Sequence, residues 1–260
     1  MRIVLTAGFD RARHAVAIAE LARRAGHTVA AVIVVRALRV RRVKQFVRQR
    51  GAGGLVDAAR RFVGGAPRET ADSEVEALLV QESIAERSLS AWCRRHGVPL
   101  RAVADLNAPN TVDFLRALRV DGVVYGGGGI LRRPFLEAAD GRVLNAHSGP
   151  LPDVRGMNAC EWALLLGAPP AITIHVIDEG IDTGGVLEVV PIAVERGDTL
   201  ARLRGKCVVA GVRGLVRALG VLAGPLPRRA PAAASRRQCF TLAPVLRELL
   251  EQRLEARGGA

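Results

Sequence analysis

The sequence predicts an α/β protein, a mostly parallel sheet with helices on both faces. Three observations predict it. The chain opens with an apolar run, a stretch of helical period and a second apolar run, which together read as a βαβ unit. Its apolar runs, Thr28–Val35 above all, are β-branched and unbroken, as strands buried on both faces are. Two later runs end in polar clusters, Asn145-Ala146-His147 and Asp178-Glu179-Gly180-Ile181-Asp182. Open sheets of this class carry their sites at strand ends.

Taken in order, Arg2–Thr6 is the first strand, and Gly8-Phe9-Asp10 turns the chain into a helix over Arg11–Arg24. In that helix Ala15, Ile18, Leu21 and Ala22 recur at helical spacing, and Gly26 stands where a helix stops. A dinucleotide fingerprint from Gly8 would need glycine at 10 and 13, where the chain has Asp10 and Arg13. Residues 36–67 are strongly basic but keep a stripe of Leu38, Val40, Val43, Phe46 and Val47, which predicts peripheral amphipathic helices split at Gly51–Gly54. Thr70–His96 reads as one long helix with Trp92 and Cys93 on its apolar side. Strands follow at Pro99–Val103 and Gly122–Tyr125, with a helix over Thr111–Leu118 between them. Beyond Val143–Leu144 come a helical stretch around Trp162–Leu166, a strand over Ala171–Ile177, another over Val186–Val194, and an amphipathic helix over Thr199–Leu222. Ala223–Ser235 is a Pro/Ala/Arg linker leading to a last helix, Val245–Ala256. The division expected is a catalytic domain over 1–222 and a linker with a short C-terminal tail over 223–260.

The chain is 49% hydrophobic and carries a net charge of +13 over 260 residues. Its only lysines are Lys44 and Lys206, so the basicity is arginine, an overall bias more than a nucleic-acid signature. No run of about 18 apolar residues escapes charge, which predicts no membrane span. The N-terminus has no signal-peptide core, so the cytoplasm is the expected compartment. The four cysteines show no CxxC pair or metal spacing and read as reduced structural thiols; no metal is expected.

The chemistry concentrates in Asn145–Gly185. On a strand, period two puts Asn145 and His147 on one face. A loop rich in proline and glycine separates them from the strand that ends in the acidic loop holding Asp182. An amide donor, an imidazole and a carboxylate suffice for acyl transfer: a polarised carbonyl, a stabilised oxyanion, a managed proton. The order Asn145-x-His147, Leu151-Pro152-x-x-Arg155-Gly156, Thr173-Ile174-His175, Gly180-Ile181-Asp182-Thr183-Gly184 resembles the folate-dependent formyltransferases, strongly from about Gly122 to Leu222.

That resemblance implies a Rossmann-like formyltransferase fold and N10-formyltetrahydrofolate as co-substrate. It makes Asn145, His147 and Asp182 the catalytic set. Asn145 and a protonated His147 would stabilise the oxyanion, while Asp182 keeps the imidazole charged and takes, directly or through water, the amine's proton. It places the folate against Gly128, Gly129, Ile130 and Leu131, and against Asp178, Glu179 and Gly180. It assigns Gly8, Phe9, Asp10 and Arg155 to the acceptor, a small primary amine, phosphorylated or not, on an amino sugar, a nucleotide-linked sugar or a natural product. The short stretch after the long helix argues against tRNA, whose formyltransferases carry a further C-terminal barrel. A homodimer is compatible with this reading. Two rivals stand beside it: a hydrolase of the formyl donor, with water in place of the amine, and a non-catalytic RNA-binding protein using the basic 36–67 segment.

Overall fold

The structure, a computed structural model, describes residues 1–35, 71–227 and 238–258. The basic 36–67 segment and most of the linker lie outside the described residues. Seven strands form one sheet in the order β3-β2-β1-β4-β5-β7-β8. They are β1 (Arg2–Ala7), β2 (Thr28–Val35), β3 (Leu100–Val103), β4 (Gly122–Gly126), β5 (Val143–His147), β7 (Ala171–Val176) and β8 (Val186–Pro191). The first five are parallel to one another, while β5/β7 and β7/β8 are antiparallel. The mostly parallel sheet expected from the sequence is therefore what forms.

Helices cover both faces. On one lie α1 (Arg13–Arg24), α2 (Ala71–Gln81), α3 (Leu89–His96) and α7 (Leu200–Ala218), packed over Ile3, Leu5, Val32, Leu144, Ile172 and Ile174. On the other lie α4 (Pro109–Leu118) and α5 (Arg133–Ala138), over Val4, Ile33, Val123 and Val143. These neighbouring strand residues alternate between the two clusters, as period two requires of a doubly covered sheet. Helix α5 is absent from the sequence reading. It is only six residues long, started by Pro134, too short for its period to show.

The helix expected over Thr70–His96 is two helices. The chain breaks after α2, with Ser83 at φ 51°, and restarts where the Ser88 hydroxyl accepts Ala91 N–H at 3.2 Å. Arg87 holds the turn, donating to Glu76 at 2.7 Å and to the Ile84 carbonyl. The break lets α3 turn its apolar side onto α1, where Trp92 is wholly buried and its indole N–H donates to Glu20 at 3.0 Å. Burial alone would raise the Glu20 carboxyl. Donation from Arg23, Trp92 and Arg24 outweighs it and brings the group from 4.5 down to about 2. A folded-state value below the unfolded one stabilises the fold above pH 4.5, and that contribution drains away as pH falls towards about 2. Glu20→Ala should cost about 1–3 kcal/mol, the toll of orphaning a buried donor. It should also flatten the pH dependence of the urea midpoint across that window.

The tail is built into the rest. Strand β9 (Gln238–Cys239) runs parallel to β6 (Arg155–Gly156), which lies in the loop after β5. The carbonyls of Cys239 and Phe240 accept from Met157 N–H at 3.0 Å and Trp162 Nε1–H at 2.8 Å. Helix α8 (Pro244–Gly258) sends Leu250 and Leu254 into the larger core cluster.

Candidate active site

Strand β5 ends at His147, and its register with β7 sets four polar side chains on one face. Asn145 stands opposite His175, and His147 opposite Thr173. Thr173 anchors the following loop, its hydroxyl donating to the Gly149 carbonyl at 2.7 Å and accepting from Leu151 N–H at 3.0 Å. Because β7 runs against β5, the acidic loop does not leave at the C-terminal end of β5, as expected from the sequence. It leaves beside Val143, whose carbonyl accepts from Ile177 N–H at 2.8 Å. The loop then folds back over the polar face. Asp178 Oδ1 accepts from Gly180 N–H at 3.0 Å and from the Thr183 hydroxyl at 2.6 Å, so this carboxylate shapes the loop.

The return brings Asp182, held at φ 51°, to His147, with Oδ2 at 3.4 Å from Nδ1. The same oxygen accepts from Gly156 N–H at 2.9 Å. His147 is buried, and its Nε2 lies 2.8 Å from the Val154 carbonyl. A carbonyl only accepts, so Nε2 carries a proton. The ring thus lies between a carbonyl and the carboxylate, and direct donation from Nε2 to a bound oxyanion requires it to leave Val154.

His175, which the sequence leaves as an ordinary strand-end residue, is tied to Asn145. Its Nδ1 donates to the Val176 carbonyl at 2.9 Å, which leaves Nε2 to accept from the Asn145 amide at 3.0 Å. Burial, the largest influence, pushes this imidazole below its ordinary 6.5, against the pull of Asp182, so the ring is neutral and the acceptor role holds. One amide N–H of Asn145 is fixed by His175 and the other is left for a ligand. His175→Phe should lower kcat roughly tenfold, the worth of one positioning hydrogen bond, in a steady-state assay. Acidification below pH 6.5 should also weaken the fold, because the unfolded ring takes up the proton first; the variant should lose that dependence.

Beside Asn145, His175 and Asp182 opens a cavity of about 280 Å³, walled by Ile130, Leu131, Ile177 and Ile181. Its glycine loop is fixed. Gly127, Gly128 and Gly129 have φ of 116°, 130° and 105°, a region that excludes side chains. Thr6 donates to the Gly127 carbonyl at 3.0 Å, and the Tyr125 hydroxyl donates to the Gly129 carbonyl at 2.8 Å. Ile130 is 68% exposed on the rim. Gly129, Ile130, Leu131, Asp178 and Gly180 of the expected folate set line this space, with Gly128 packed on Leu106 behind it. Glu179 faces outward in an exposed pair with Arg133 at 2.7 Å.

On the other side of Asn145 lies a polar cavity of about 390 Å³, lined by His147, Ser148, Asn158, Glu161 and Arg204. Buried Glu161 accepts from Arg204 Nε at 2.6 Å and from Asn158 Nδ2 at 3.0 Å, while Asn158 Oδ1 accepts from Leu242 N–H at 3.1 Å. Sequence reasoning missed this group. Glu161 and Arg204 are 43 residues apart, and no spacing joins them.

The acceptor residues expected from the sequence do not gather there. Asp10 accepts from Ser90 N–H at 2.8 Å and its hydroxyl at 2.9 Å, fixing the start of α3. Phe9 is 52% exposed and lines a separate cavity of about 730 Å³ with Arg11, Arg13 and Arg87. Gly8 packs beside Gly128. Arg155 is buried in the β6/β9 ladder, and its neighbour Gly156 is the one that reaches the polar cavity.

Among the described residues no helix is long and apolar enough to cross a membrane. A family model described as formyl transferase matches residues 4–219. The methionyl-tRNA formyltransferase of Anaeromyxobacter dehalogenans is 35% identical over 156 residues, 58% of this chain and 50% of that protein. The trifunctional purine biosynthetic protein adenosine-3 of Homo sapiens is 33% identical over 125 residues, 45% of this chain and 12% of that protein. The chain spans about half the length of the methionyl-tRNA formyltransferases it matches. Glycinamide ribonucleotide transformylase 1 of Symbiobacterium toebii superposes with a TM-score of 0.59 at 23% identity, over 88% of this chain and 93% of its own. A sugar N-formyltransferase from a Shewanella species gives 0.58 at 13% identity, over 98% and 87%. At these identities the superpositions speak for the fold.

Proposed function

The chain belongs to the formyl transferase family, and from that premise we propose that it moves a formyl group from N10-formyltetrahydrofolate to a primary amine of a small acceptor. The observation that carries this reading is the position of Asn145, which borders both the apolar 280 Å³ cavity and the polar 390 Å³ one. A flat heteroaromatic ring system suits the first, between Ile130, Leu131, Ile177 and Ile181, with backbone polar groups of the 126–131 and 178–182 loops at its edge. The acceptor amine enters from the second.

The neutral amine attacks the formyl carbon, and the carbonyl oxygen gains the charge. The free N–H of Asn145, its amide plane set by His175, donates to that oxygen. His147 joins it by swinging Nε2 from the Val154 carbonyl, a small adjustment of the kind that substrates draw from loosely set catalytic groups. Asp182 orients the imidazole through Nδ1 and receives, directly or through water, the proton lost by the amine. Collapse of the tetrahedral adduct expels the folate nitrogen, which takes up a proton, leaving tetrahydrofolate and a formamide.

The test is to incubate the protein with N10-formyltetrahydrofolate and amine pools, following tetrahydrofolate release by absorbance and formamides by mass spectrometry. Release that tracks formamide supports the reading. Release with formate as the only product turns it into hydrolysis, and no release in any pool refutes it.

A further inference from the structure

Between α1, α7 and the sheet lies a further cavity, of about 200 Å³, in which none of the expected acceptor residues takes part. We propose that it is a specificity pocket for an apolar group flanking the amine, so that the acceptor is an amphipathic amine, not a phosphorylated sugar. This rests on the formyl-transfer reading of the adjoining site.

Its walls are Ile18 from α1, Ala146 and Ile172 from the sheet, and Val208, Val212 and Leu215 from α7. Among the described residues, no carboxylate, guanidinium or ammonium group borders it. Of the polar groups that do, His14 Nε2 meets the Gly126 carbonyl at 3.0 Å, and Cys207 is a buried free thiol. Asn145 and Ser148 stand where it opens, and both also line the polar cavity; Asn145 and Tyr125 border the folate-side cavity as well. Asn145 therefore borders all three spaces. A substituent on the amine-bearing carbon has this pocket within reach while the polar body of the acceptor lies near Asn158, Glu161 and Arg204.

The lining decides the class of substituent. A phosphate or a cluster of sugar hydroxyls would lose its water here without replacement partners. An aliphatic or aryl group loses nothing and gains about threefold to fourfold in affinity for each methylene buried. The size suits roughly six carbons, since a cavity of roughly 150 Å³ takes benzene. At the polar cavity the one guanidinium among the described residues, Arg204, is already held by Glu161, so these residues offer no uncommitted cation to a phosphate either.

The experiment measures binding of propylamine, butylamine, isopentylamine, 2-phenylethylamine and glucosamine to the full chain by calorimetry, at one pH where all are equally charged. Val208→Trp, which fills the pocket, is measured alongside. Affinity rising threefold to fourfold per methylene, with 2-phenylethylamine well ahead of glucosamine, supports the proposal. Val208→Trp should then cut 2-phenylethylamine binding tenfold or more and flatten the series. A flat series in the unmodified protein, or glucosamine bound more tightly than 2-phenylethylamine, overturns it whether or not the variant folds. Transfer from N10-formyltetrahydrofolate to the same amines separates the two readings. A rising binding series without any transfer leaves the pocket standing and removes the formyltransferase beside it.

Discussion

His147→Ala and Asp182→Asn should each lower formyl transfer by roughly two to four powers of ten, with folate affinity unchanged within a few fold. The geometry explains both halves of the expectation. Asp182 Oδ2 is the only carboxylate oxygen against His147 Nδ1, at 3.4 Å, among the described residues, and Gly156 N–H fixes it from the other side. Asn at 182 keeps the shape but removes the negative charge beside Nδ1 and the carboxylate proposed to receive the amine's proton. Folate contacts, by contrast, are expected on the backbone of 126–131 and 178–182 and on apolar side chains. Asn145→Ala should do comparable damage, because it removes the amide donor proposed for the reacting carbonyl. The losses should be far from additive, since one proton path serves one transition state. Single-turnover rates with saturating donor give the measurement. A double variant, His147→Ala with Asp182→Asn, that retained full transfer would show that the chemistry lies elsewhere.

Gly156→Ala should cost about 2–4 kcal/mol of stability and about tenfold or more in kcat. Gly156 has φ of 94°, and a Cβ there would fall on the carbonyl oxygen of Cys239 in the paired tail strand. The obstacle is backbone, so no side-chain change at 239 relieves it; either β6 or β9 must move. If β9 gives way, Met157 and Trp162 lose their carbonyl partners in the tail. If β6 gives way, Gly156 N–H leaves Asp182 and the carboxylate loses its fixed partner. Denaturant midpoints and kcat, measured together, check both effects. An unchanged midpoint would mean that the tail does not hold the site segment in solution.

The sequence by itself determined the local elements and the identity of the central polar residues. Unbroken β-branched runs announce strands buried on both faces, and Asn145-x-His147 at the end of one needs only the period of two to share a face. The order of motifs through Asp182 pointed to the family that the comparison over residues 4–219 establishes. Where one pattern ran across a break, the reading failed. Glu82–Ser88 has no glycine or proline to stop a helix, and the interruption is set by Ser83, Arg87 and the docking of Trp92 on Glu20.

Direction and distance were left to the tertiary structure. An apolar run does not say which way its strand points, and β7 pairs antiparallel because it joins the sheet beyond the last parallel strand. That choice sends the acidic loop back over the face of the sheet and turns His175 into the partner of Asn145. It also took the assembled fold to show that Asp10 serves a helix start, that Glu161 and Arg204 meet across 43 residues, and that the tail strand pairs beside Asp182. Each is a contact between segments far apart in the chain, and local periodicity carries no information about such partners.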